Sequence, residues 1–181
     1  MACRAQAAPS AEASQGLWAG VEVSNFNPDY LCSSNLPFSC FGDLWGIGVT
    51  AHDALATKLS LAGEARWLEW NGGLGETEAS YLIGPQYRLW ARNRISFHGN
   101  ILLGIGRLSV PNEAGSWFAY APGAEASYRA SRRLEGFVSY QYQFWPSFDG
   151  AATVSKTGQT VEHNHGLTPN GLSFGARWRL W

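Results

Sequence analysis

Residues 45–52, WGIGVTAH, alternate the apolar side chains of Trp45, Ile47, Val49 and Ala51 with the small or polar residues Gly46, Gly48, Thr50 and His52. Alternation sustained over such a run is the period of a β-strand with two unlike faces. The position of the glycines decides which face is which. A strand position facing water gains nothing from glycine and loses backbone entropy, whereas a crowded interior needs small residues. Here the glycines share a face with the polar residues, so the polar face points inward and the apolar face outward.

The pattern recurs on both sides of this stretch, in segments of about ten residues each followed by a turn or loop signal. Eight such segments run from Gln15 onward. The apolar set of the first is Leu17, Ala19, Val21 and Val23, and that of the last is Leu172, Phe174, Ala176, Trp178 and Leu180. The interleaved sets carry Glu22, Glu64, Arg66, Arg88, His98, Glu125, Arg129, Glu135, Arg177 and Arg179, which we read as the polar network of a lumen. Symmetric hairpins place Glu64 opposite Gly48 and Gly84, Arg66 opposite Gly46, Arg88 across from His98 and Arg129 across from Glu135, with Arg179 reaching toward Glu135. Such pairs are required because an unpaired charge in a confined lumen is costly.

Aromatic residues gather at the two ends of the apolar face. Trp45, Trp67, Tyr81, Phe118, Tyr142 and Phe144 fall at one end and Tyr87, Phe97, Tyr128 and Trp178 at the other, around a waist of Leu, Ile, Val and Ala. Two aromatic girdles around an aliphatic band are what a bilayer selects. Pro85 and Pro122 lie inside the fourth and sixth segments, where each removes a ladder donor, so bulges or slack pairing are predicted there.

The connections after the second, fourth and sixth segments are short, around Ala54, Arg92 to Asn93, and Ser131 to Arg132. Those after the first, third, fifth and seventh are longer, the third and fifth segments ending in NGGLG and VPNEAGS. This is the layout of an outer-membrane barrel, with short turns toward the periplasm, long loops extracellular and both termini periplasmic. The predicted fold is all-β, an eight-stranded antiparallel up-and-down transmembrane β-barrel over residues 15–181. Residues 1–14 contain the small-x-small triplet Ala5, Gln6, Ala7 and are read as a signal-peptide remnant or a flexible N-terminal tail.

Composition agrees with this class. Nine Trp, seven Tyr, nine Phe and 21 Gly accompany only 15% charged residues, and the net charge of −1 makes no electrostatic case for nucleic acid. No run approaches the roughly 18 apolar residues of a membrane-spanning helix. Cys32 and Cys40 bracket the loop-like segment LCSSNLPFSC, and a disulfide between them is expected in an oxidising compartment. An eight-stranded barrel is just wide enough for side chains to fill it, so a plugged lumen is expected. The alternatives are a narrow porin-like channel along the lumen charges, and a soluble lipocalin-like carrier with the apolar set turned inward around a ligand.

Little chemistry is suggested. Glu162, His163 and His165 lie in EHNHGLTPN, but no Ser stands at a short spacing from either His, and two imidazoles with one carboxylate are weak evidence for a metal. No catalytic, cofactor or metal site is assigned, and the chain is read as non-enzymatic. Glu69 and Arg107 fall in the outward phase near the loop ends, where Arg107 meets a lipopolysaccharide phosphate or serves as an ordinary rim charge.

The segments GEARWLEWNG, YLIGPQYR, FAYAPGAEASYRASRRL, FVSYQYQFWP and LTPNGLSFGARWRLW resemble the OmpA-like and opacity-type family of small outer-membrane barrels. The resemblance spans residues 16–181 and implies a bacterial outer-membrane protein assembled by the outer-membrane insertion machinery, which reads a terminal strand ending in an aromatic residue. This chain departs in phase, since Leu180 continues the outward face and Trp181 lies one residue beyond it. The expected partners are the lipid bilayer, lipopolysaccharide and that machinery, with the barrel a monomer whose loops serve membrane integrity or surface binding.

Overall fold

A strand with one apolar and one polar face can hide its backbone polar groups from hydrocarbon only if the sheet closes on itself. The computed structural model describes residues 16–28, 43–70, 77–110, 113–148, 152–153, 160–161 and 166–180. Its strands are β1 (Leu17–Asn27), β2 (Leu44–Ala54), β3 (Leu59–Trp70), β4 (Thr77–Arg92), β5 (Ile95–Val110), β6 (Glu113–Arg129), β7 (Leu134–Tyr142), β8 (Ala152–Thr153), β9 (Thr160–Val161) and β10 (Asn170–Arg179). Eight of these form one closed antiparallel barrel, in which each of β1 to β7 pairs with its neighbour and β10 pairs with both β7 and β1. The short β8 and β9 pair only with each other, within the connection between β7 and β10. The predicted fold class is therefore the observed one.

The two faces are as the glycines indicated. Ile47 is 65% exposed, Ile101 57% and Phe174 56%, whereas Glu22 is 4%, Glu125 5%, Arg177 3% and Arg66 0% exposed. Aliphatic side chains clothe the outside and ionised ones are buried. In the girdle on the loop side, the Trp67 indole N–H donates to Tyr81 Oη at 3.0 Å, with the rings edge to face at 6.0 Å.

Each short turn has a local cause. The amides of Leu55 and Ala56 both donate to the Leu59 carbonyl, at 3.0 and 2.9 Å. Asn93 adopts a φ of 55°, a left-handed conformation that its short polar side chain tolerates. Ser131 Oγ accepts from the amides of Arg133 and Leu134 at 3.2 and 3.1 Å.

Several expectations need correction. The β5–β6 connection is not a long loop, because VPNEAGS continues both strands as far as the pair Val110↔Glu113. Arg66 stands opposite Gly48, Glu64 opposite Thr50 and Leu82, and Gly84 opposite Ala62. The four-residue β2–β3 turn is centred one residue later than a symmetric hairpin about Ala56, which slides the register by two and so leaves every side chain on its predicted face. Glu135 faces Arg177 rather than Arg179, which lies across from Trp18. The pairs Arg88↔His98 and Arg129↔Glu135 are as predicted.

The prolines loosen pairing without bulging it. The β4–β5 ladder omits Gly84 and Pro85 and resumes in the same register, and the β6–β7 ladder stops at Gly123 beside Pro122, leaving Tyr120↔Phe144 as an isolated bridge. The bulge lies instead between Arg88 and Trp90. It turns Leu89 and Trp90 outward together and sets Trp90 against Phe97 at 5.6 Å, adding an aromatic to the girdle on the turn side. Residues 1–14, Cys32, Cys40, Glu162, His163, His165 and Trp181 lie outside the described residues.

Replacing an outward waist residue tests the orientation directly. Ile101→Arg is expected to destabilise the barrel by roughly 2–4 kcal/mol when folding into lipid vesicles is followed by urea titration. An unchanged midpoint would mean that this face does not meet hydrocarbon.

Candidate functional site in the barrel lumen

The lumen contains two charged clusters and an apolar cap. The first cluster depends on a gap in β2. Glu22 and Arg66 both stand opposite Gly48, one on either side, and a Cβ there would approach Glu22 Oε1 to 2.7 Å. Glycine thus lets the two long side chains meet across the strand, with Arg66 Nε donating to Glu22 Oε1 at 3.0 Å. The same guanidinium donates to Glu64 Oε2 at 3.3 Å and to Gln141 Oε1 at 3.0 Å, and it lies 4.2 Å from the centre of the Phe26 ring. Ser24 Oγ adds a bond to Glu22 at 3.3 Å and shares a second, at 2.8 Å, with Ser173.

The second cluster is organised by Arg177 toward the turn end. Its guanidinium donates to Glu125, lies 3.1 Å from Glu135 and stacks 4.5 Å over Phe137. Glu125 is also 3.5 Å from His98 Nδ1, and Glu135 is 3.7 Å from Arg129 Nε. Arg177 Nη1 lies 2.7 Å from His52 Nε2. A guanidinium has no acceptor, so Nε2 accepts, and His52 Nδ1 must carry the hydrogen donated to Gln86 Oε1 at 2.8 Å. Arg88, predicted to lie near His98, does so in register, while its guanidinium donates to the Thr57 carbonyl of the β2–β3 turn.

Above the first cluster the interior becomes apolar. Phe26, Leu44, Leu68, Leu82, Leu102 and Leu108 are buried together with Trp145, Phe148 and Leu167, which come from the connection after β7. The backbone of Trp145 bridges that of Leu167, and its indole lies where a Cβ on Gly106 would stand, 2.2 Å from that position. Trp145 stacks on Trp117 at 6.3 Å, and Phe148 meets Trp117 at 4.7 Å. A chain of hydrogen bonds ties this cap to the charges below: Trp145 Nε1 donates to Gln143 at 3.0 Å, Gln143 Nε2 donates to Gln141 at 2.9 Å, and Gln141 accepts from Arg66. The interior is therefore not polar throughout, as the strand pattern suggested, but charged in the middle and at the turn end and greasy at the loop end.

Two cavities accompany this packing. One of about 20 Å³ lies between the clusters, lined by Glu22, Thr50, Glu64, Asn100 and Glu125 among others, and is large enough for a single water. The other, about 90 Å³, lies at the turn end. Among the described residues no group of His, Cys, Asp and Glu is placed to hold a metal ion.

No family profile matches the sequence, and no curated protein sequence does. Solved structures do. Neisserial surface protein A (NspA) superposes with a TM-score of 0.69 at 11% identity, over 92% of this chain and 98% of that one. The chain has the fold of the small outer-membrane β-barrels. Two other barrels of this kind agree: Ail, the attachment invasion locus protein of Yersinia pestis, in complex with the heparin analogue sucrose octasulfate, at TM-score 0.52 and 15% identity over 91% of this chain and 97% of that one. The outer membrane protein OprG from Pseudomonas aeruginosa gives 0.50 and 10%, over 92% and 96%.

Within this outer-membrane barrel fold, the structure joins Glu22, Glu64 and Arg66 in one cluster and His98, Glu125, Arg129, Glu135 and Arg177 in the other. Sequence reasoning missed the inward aromatics Trp18, Phe26, Trp117, Phe137 and Trp145. Each lies in phase with inward polar neighbours, as Phe137 does between Glu135 and Ser139, and phase was the signal that could have found them. It also missed Glu78, 1% exposed, which stands in register between Leu68 and Leu108 and whose carboxyl oxygens have no hydrogen-bond partner among the described residues.

Opposite effects are expected from two substitutions, read by urea denaturation in one lipid. Arg66→Met strands buried carboxylates and should destabilise by about 3–5 kcal/mol. Glu78→Leu removes an unsatisfied carboxyl from an apolar setting and should stabilise by roughly 1–3 kcal/mol. Equal effects of one sign would contradict this division of the lumen.

Proposed function

We propose that the chain is an integral protein of the bacterial outer membrane, a non-enzymatic barrel whose filled lumen conducts no ions and whose loops serve membrane integrity or surface binding. The observation that carries this reading is the pairing of an outer wall whose waist is apolar with an axis filled by paired charges and by the Trp145, Phe148 and Leu167 cap. A soluble carrier would have the reverse arrangement, with ionised side chains outside and a greasy cavity within.

In this reading the short turns and both termini face the periplasm, and the loops face outward from the cell. The partners are the bilayer itself, lipopolysaccharide and the machinery that inserts outer-membrane barrels, with the protein a monomer. The exposure of Arg107 on the outward face, across from Ala79 near the loop end, supports a contact with a lipopolysaccharide phosphate in this reading. The names of NspA, a surface protein, and Ail, an attachment invasion locus protein, are in keeping with a surface-binding role.

Planar-bilayer recording distinguishes this from a narrow channel. The purified protein should migrate differently on gels before and after heating, require an amphiphile to stay in solution, and give no steady single-channel current. Large, steady currents would replace the proposal with a porin-like one, and solubility without amphiphile would remove it from the membrane.

A further inference from the structure

The cavity at the turn end has a chemical bias that the barrel's structural role does not use. Among the described residues its lining includes Lys58, Arg88, Arg129 and Arg177 and one carboxylate, Glu135. Glu125, behind this wall, engages Arg177, so Glu125 and Glu135 offset Arg129 and Arg177. Arg88 is engaged at the β2–β3 turn, where its guanidinium donates to the Thr57 carbonyl, and the cation left at the rim of the cavity is Lys58 on that same turn.

The hydrogen-bonding groups carry the same bias. Arg177 fixes His52 as donor to Gln86 Oε1, and Ser60 Oγ donates to that same oxygen at 3.3 Å. The Gln86 amide is thus held with its oxygen consumed and its Nε2 free. Gln86 is only 3% exposed, lines the cavity, and its Nε2 has no hydrogen-bond partner among the described residues. Arg129 Nε and Arg177 Nε are likewise buried without a hydrogen bond among the described residues, although both lie within ion-pair range of Glu135. A cavity of about 90 Å³ has room for several waters or one small oxyanion.

We propose that this cavity is a binding site for a phosphate-class oxyanion, held by Gln86 Nε2 and the Arg129 and Arg177 guanidiniums and drawn in by Lys58. The inference goes beyond the barrel's proposed role and rests on turn-end geometry, whichever compartment that end faces. The same chemistry would accept a free inorganic phosphate or the phosphate of a lipid headgroup.

The test uses the full chain, folded in an uncharged sugar detergent and labelled with ¹⁵N. Sodium phosphate is titrated while the side-chain N–H signals of Gln86, Arg129, Arg177 and Trp18 are followed, with sodium chloride at equal ionic strength as control. The expected result is a saturable shift of these signals with phosphate and none with chloride. Lys58→Glu and Lys58→Ala should each raise the midpoint, by roughly threefold to tenfold for the charge reversal and less for the alanine, as expected for an exposed charge. Lys58→Arg should leave it in place. Heat-dependent gel migration confirms that each variant is folded, and Lys58→Ala keeps the test open if Lys58→Glu is not. A parallel titration with glycerol 1-phosphate separates the sources: a response to it alone assigns the site to a lipid headgroup, and a response to inorganic phosphate assigns it to the free anion. No saturable shift with either, or an equal shift with chloride, overturns the proposal.

Discussion

The structure depends on closure. Ten residue pairs, from Trp18↔Arg179 to Asn27↔Asn170, join the first strand to the last and leave the sheet without an edge. In hydrocarbon an unpaired row of amides and carbonyls would cost several kcal/mol per group, so no open version of this sheet could keep its apolar face where it is. Closing at eight strands also fixes the radius, and with it a confined axis that side chains must fill.

That confinement explains the interior. Charges that are taken out of water must find partners, and the partners here come from distant parts of the chain: Glu22 meets Arg66, and Arg177 gathers Glu125 and Glu135. Glycine makes the meeting possible at Gly48, where an absent side chain opens the path between neighbours two strands apart. Where the charges end, the same volume is filled by leucines and indoles, so the axis passes from a hydrogen-bonded lattice to a greasy cap within one barrel length.

The fold was legible because alternation and glycine placement are local signals repeated eight times, and an error of two in register leaves the faces unchanged. The partners were less legible. Arg88↔His98 and Arg129↔Glu135 could be read because their turns are nearly symmetric, whereas the Glu22 and Arg66 pair needed the centre of the β2–β3 turn, which depends on amide bonds to Leu59 that composition does not reveal. The extension of β5 and β6 through VPNEAGS was hidden by its Pro, Asn and Gly, residues that ordinarily mark a loop. The cap was hidden for a different reason: Trp145 and Phe137 are large and apolar, and an argument that assigns apolar residues outward overlooks those whose phase points in.

The burial of Trp145 and Leu167 has a consequence for the connection between them. Its two roots are clamped to each other and to the wall, since the Trp145 amide donates to the Leu167 carbonyl at 2.9 Å and the Gln143 amide to the Pro169 carbonyl at 2.7 Å. Phe148 belongs to the cap as well, and the Gly166 amide donates to its carbonyl at 2.9 Å, so the clamp reaches Phe148 on one side and Gly166 on the other. β10 is held by its own ladders to β7 and β1 and not by that covalent link alone, so a cut after Phe148 and before Gly166 would leave two fragments still joined through the barrel wall.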